Sequence, residues 1–151
     1  MLARALDFAD SPTAAAERLS PSQQGVLAVS AHSFCISTAR RWVTDLLRRW
    51  DIPPETCDSA ILIVSEFATN AVQHGRSDMS LFIACDHVTL RIAVTDSGAA
   101  VHRCVTNSDP DEHGRGLQIV RALAHRTQVH QTTQGCRASA SLRLEARVSS
   151  E

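Results

Sequence analysis

The chain has 151 residues, 44% of them hydrophobic and 21% charged, with a formal net charge of -1. These proportions suit one globular domain with one core, and they supply no bulk electrostatic pull toward nucleic acid or an anionic membrane. All fifteen basic residues are arginines, which excludes a Walker-A phosphate loop, the strand lysine of a eukaryotic-type protein kinase and Schiff-base chemistry.

Residues 1–25 contain Ser11-Pro12, Ser20-Pro21 and an alanine run, and they read as a mobile arm. The first twenty residues carry early acids and no continuous apolar stretch, so they make a poor signal peptide. No apolar run approaches the ~18–20 residues of a membrane span. The expected compartment is the cytoplasm. Val26 to Ser33 has strand character. From Ile36 to Trp50 the apolar positions Ile36, Ala39, Val43, Leu46, Leu47 and Trp50 recur at helical spacing, with Arg40, Arg41, Arg48 and Arg49 on the wet side. Asp51 and Pro53-Pro54 end that helix.

A second helix starts at Pro54 or Glu55, with proline first and an acid in the first turn, and runs to His74, where Gly75 stops it. Two strands follow, Met79 to Cys85 and Val88 to Thr95, joined tightly at Asp86-His87. The second ends in Asp96-Ser97-Gly98. A polar loop of about fifteen residues then leads to His113-Gly114-Arg115-Gly116, a length at which loops are often functional. A third helix is expected from Leu117 to about His125. Strands at Thr127–Thr132 and Cys136–Ala146, turned at Gln134-Gly135, complete the domain over 26–146, with 147–151 as a tail. The order implies an α+β fold, a two-layer α/β sandwich with one mixed, mostly antiparallel sheet and its helices on one face. Five cysteines (Cys35, Cys57, Cys85, Cys104, Cys136) are scattered, odd in number and never in a C-x-x-C pair. They read as small buried hydrophobes rather than as a disulfide framework or zinc site. The cluster His102-Arg103-Cys104 with His113 matches no usual zinc spacing.

Three separated pieces carry chemistry. In ILIVSEFATNAVQHG, Glu66, Asn70 and His74 are four residues apart, so they fall on nearly one helical stripe in an otherwise apolar segment. A carboxylate can take a proton, and an amide oxygen can ligate a hard cation such as Mg2+; His74 also suits a helix-end contact with carbonyls. The second piece is Asp96-Ser97-Gly98. A carboxylate that closes an apolar strand can accept from an exocyclic amine at the bottom of a pocket, and Gly98 lets a flat ring approach the backbone. The third is Gly114-Arg115-Gly116-Leu117 at the expected start of a helix. Its bare N–H groups would make an anion site, and Arg115 adds a fork suited to phosphate. Each piece alone is an ordinary cap, turn or loop; together they suit the parts of a nucleotide.

Here the sequence resembles a known family. E-F-A-T-N-A-V-Q-H-G looks like the N-box of the GHKL ATPase superfamily, V-T-D-S-G like its first glycine box and H-G-R-G-L-Q-I-V like its second. The spacing from R-R-W-V to S-E-F-A-T-N-A-V-Q-H is most similar to anti-sigma factor serine kinases, over roughly residues 26 to 146. The resemblance implies a Bergerat-type fold that binds ATP and Mg2+ under a mobile lid. It implies Glu66 as base, Asn70 as Mg2+ ligand, Asp96 as adenine reader, and His74, Gly98, Gly114, Arg115, Gly116 and Leu117 as further ATP contacts. It also implies a homodimer that sequesters a sigma factor and phosphorylates a serine on a small antagonist protein. The chain departs from the pattern where Ala99-Ala100 follow Gly98, where Gly135-Cys136-Arg137 opens the last strand with Ser139 as the available hydroxyl, and where His125-Arg126 replaces a tryptophan. A non-catalytic module of the same fold is the rival reading. The ATPase half of a two-component histidine kinase fits less well, because no helix pair bears a phospho-acceptor histidine.

Overall fold

The computed structural model describes residues 23–30, 33–75, 78–97 and 110–145. Of the expected arm over 1–25, residues 23–25 belong to the first strand and the rest lies outside the described residues, as do the stretch 98–109 and the tail 147–151. The elements are β1 (Gln23–Ser30), α1 (Ser33–Arg49), α2 (Pro54–Gly75), β2 (Asp78–Cys85), β3 (Thr89–Asp96), α3 (Pro110–Leu123), β4 (Arg126–Thr132) and β5 (Gly135–Arg143). The strands form one sheet in the order β1-β2-β3-β5-β4. Every neighbouring pair among them is antiparallel, so the described sheet holds none of the parallel pairing that a mixed sheet would contain.

Period-two alternation sorts the sheet residues onto two faces. Met79, Leu81 and Ile83 of β2 and Leu90, Ile92 and Val94 of β3 are fully or almost fully buried. They join one core with Ala39, Val43 and Leu47 of α1, Ala60, Ile63, Val64, Phe67 and Ala68 of α2, and Val120 of α3. All three helices therefore cover this one face. α2 is the central helix, packed against β3 and β5 below and between α1 and α3.

Local chemistry sets the element ends. α1 closes on a Schellman pair, in which Asp51 N–H donates to the Arg48 carbonyl and Ile52 N–H to the Leu47 carbonyl, both at 3.0 Å. Asp51 takes φ 57°, the left-handed position usually held by glycine. Pro54 then starts α2, where its missing N–H costs nothing. The β2–β3 turn is tied by Asp86, whose Oδ1 accepts from Val88 N–H (2.8 Å) and Thr89 N–H (2.7 Å). Gly25 of β1 lies under α1; a Cβ there would meet Leu46 Cδ2 at 2.7 Å and the Trp42 ring at 3.1 Å. That close approach explains a glycine inside a strand.

One boundary differs in a way that matters. α3 begins at Pro110, seven residues before the expected Leu117. Pro110-Asp111-Glu112 supplies a proline and two acids to a first helical turn, which favours initiation there. Gly114, Arg115 and Gly116 are therefore helical residues, and their N–H groups do not form the free helix start that an anion site at those positions requires.

Candidate functional site

α2 carries its core stripe on Ala60, Ile63, Val64, Phe67, Ala68 and Ala71. At ~100° per residue, Glu66 and Asn70 fall on the flank of that stripe, and each residue four further along drifts ~40°. Both side chains are half-buried. The backbone of His74 belongs to the last turn of α2; its side chain lies outside the described set.

The flank bearing Glu66 faces α3. A Cβ built on Gly116 would fall on Oε2 of Glu66, 3.2 Å from its Cδ and 3.8 Å from its Cγ. The carboxylate thus rests directly against the α3 backbone. Leu123, at the end of α3, shares a groove with Pro53, Glu55 and Ser59 around the start of α2. The two helices therefore run antiparallel, with the glycine-rich half of α3 beside the second half of α2. Gly116 and Val120 lie one turn apart on the side of α3 that meets α2. Leu117 is half-buried, and Arg115 is exposed.

Asp96 is the one buried charged residue among the described residues, 7% exposed. It shares the parity of Leu90, Ile92 and Val94, so it stands on the helix-covered face. Its strand neighbours are Met79 and Cys136. Ser97 N–H donates to the Asp78 carbonyl at 3.3 Å, closing the strand end just past the C-terminus of α2. Asp96 therefore sits at the end of the sheet where Asn70, His74 and the start of α3 are found. Gly98 falls outside the described residues.

The register adds two wall residues that local sequence reading leaves out. Gly135 is buried, and a Cβ on it would collide with the carbonyl oxygen of Asp96. Cys136, half-buried, stands across from Asp96 on the same face. Both follow from non-local strand pairing, for which the sequence holds no nearby signal. Ser139 pairs with Ala93, which puts it on the opposite face from Asp96, so it cannot serve as the hydroxyl of this site. Arg137 lies on that other face too, and burial lowers its pKa from the ordinary value.

Among the described residues no three of His, Cys, Asp and Glu cluster. The amide oxygen of Asn70 is a hard donor, of the kind a Mg2+ held mainly by phosphate and water accepts. No described helix is long and apolar enough to cross a membrane.

The chain also matches known proteins in family and in fold. The family described as "Histidine kinase-like ATPase domain" matches residues 29–141. A crystal structure of the RsbU and RsbW domains of Rv1364c from Mycobacterium tuberculosis superposes with a TM-score of 0.63 at 21% identity, over 82% of this chain and 33% of that one. The chain thus spans about a third of that neighbour's length, and the likeness is one of fold. No curated protein matches the sequence.

Proposed function

The chain belongs to the histidine kinase-like ATPase domain family, and from that premise we propose that it binds Mg2+–ATP between α2, α3 and the Asp96 end of the sheet and transfers the γ-phosphate to a serine of a protein partner. The observation that supports this reading is convergence. Glu66 of α2 lies against Gly116 of α3, and the sheet end that carries Asp96 follows the end of α2, where Asn70 stands. Asp96 would read the adenine amine, with Gly98 beneath the ring. Asn70 would hold Mg2+, and His74, Gly114, Arg115, Gly116 and Leu117 would flank the phosphates. Bound Mg2+–ATP supplies the phosphoryl group and the charge that neutralises its transfer. Glu66 would accept the proton of the attacking serine hydroxyl.

By its likeness to the anti-sigma factor serine kinases, the chain is proposed to act in the cytoplasm as a homodimer. There it would sequester a sigma factor and release it when an antagonist protein competes. The test is transfer of labelled γ-phosphate to a candidate antagonist. Transfer dependent on Mg2+ and lost in Glu66→Ala is expected; undiminished transfer by Glu66→Ala removes the base assignment.

One observation favours a second reading. The first residues of β5 offer Cys136 and Arg137, with Ser139 on the far face, so no hydroxyl of β5 stands beside Asp96. A non-catalytic module that holds a transcription regulator is consistent with that. Calorimetry separates the two, since the module predicts no binding at millimolar ATP.

A further inference from the structure

The Glu66–Gly116 contact assigns a role to the glycine that its nucleotide-contact role does not cover. Glu66 has three rotatable bonds and a half-buried position, so α2 by itself does not fix where its carboxylate points. The feature that restricts it is the α3 backbone. The space a side chain at residue 116 would fill is taken by Oε2 of Glu66. Gly116 is an interior position of α3, with Gly114 two residues earlier. Such positions weaken a helix unless something else needs the bare backbone. Here the bare backbone is occupied by the end of a flexible side chain, so a larger residue would turn Glu66 to another rotamer at little cost to the helix pair and would move its carboxylate.

We propose that Gly116 is a positioning residue. Its missing side chain forms a notch that seats the Glu66 carboxylate against α3. The catalytic half of this inference rests on the reading of Glu66 as the base; the notch itself rests only on the helix–helix contact. The notch also ties the two helices together, so the arrangement of Glu66 depends on α3 being docked. A partner or nucleotide that lifts α3 would release the carboxylate.

The test uses the full chain with Gly116→Ala, Glu66→Ala, Glu66→Asp and the double variants. The first readout is Tm, which needs no turnover. Gly116→Ala should raise Tm by less when Glu66 is present than in the Glu66→Ala background, where alanine only improves the helix. Equal shifts in both backgrounds overturn the notch. The second readout is steady-state phosphate transfer or ATP hydrolysis. Gly116→Ala should reduce kcat by about tenfold to a hundredfold, as a misplaced group does, a larger change than any rise in the KM for ATP. Glu66→Asp, one methylene shorter, should recover part of that loss when combined with Gly116→Ala, although it is slow alone. A raised KM with unchanged kcat overturns the positioning role and leaves Gly116 as a ligand contact. A wild type with no turnover but with unequal Tm shifts keeps the notch and overturns the base role of Glu66.

Discussion

The backbone of Gly135 lies flush against the carbonyl oxygen of Asp96, with the Cα of Ser97 next to it. This packing joins the first residue of β5 to the last residue of β3, at the point where the buried carboxylate stands. Gly135→Ala would force one of the two strand ends to move. Overpacking of this kind costs about 1–3 kcal/mol, so urea unfolding should show a loss of that size. If the midpoint is unchanged, the two strand ends are looser than the contact implies.

Asp96→Asn keeps the shape of the side chain and removes its charge. If Asp96 accepts from the adenine amine, the loss should approach that of a hydrogen bond to a charged group, ~1.5–3 kcal/mol, or about tenfold to a hundredfold in Kd. Titration calorimetry with ATP and with GTP measures it. An equal Kd for both nucleotides in the wild type would remove Asp96 as the base reader.

The core makes a prediction that does not depend on function. Ile63 is fully buried on the core face of α2, whereas its neighbour Leu62 is 40% exposed. Ile63→Ala should cost about 2–5 kcal/mol. Leu62→Ala should change stability by about 0.5 kcal/mol or less. Comparable losses for the two would mean that α2 is rotated from the face described.

Burial raises the thiol pKa of Cys85 above the ordinary 9.0, with the neighbouring Asp86 adding to the effect. Burial raises Cys57 in the same direction, with Asp58 adding and Arg48 opposing. A thiol that holds its proton more tightly when folded contributes stability that is full below pH 9. It is lost as the pH climbs through the raised folded-state value. Stability should therefore fall in mild alkali above pH 9, and a Cys57→Ala, Cys85→Ala double variant should flatten that part of the profile. A profile unaltered by the double substitution would assign the decline to other groups.

Much of the architecture was legible because its signals are local. Pro54 and the apolar spacing from Ile61 to Val72 define α2, and Asp86 marks the β2–β3 turn. The alternation Leu90, Ile92, Val94 assigns the inner face of β3. The start of α3 was harder to read, since two glycines at 114 and 116 outweigh Pro110 and its acids in any propensity sum. What compensates Gly116 is Glu66, fifty residues earlier, and no local window contains both. The faces of Cys136 and Ser139 follow from pairing between β3 and β5, another distant relation. Candidate residues were thus nameable from motif spacing, while their mutual geometry required the fold.

The strand order carries one more consequence. β3 is hydrogen-bonded on both sides, by β2 and β5, whereas Val120 is the one fully buried side chain of α3 among the described residues. The backbone amides of β3 should then be among the slowest to exchange with deuterium and those of α3 among the fastest. The proposed nucleotide site would have one stiff wall and one soft wall. A ligand that enters it should protect α3 strongly and leave the exchange of β3 almost as it was.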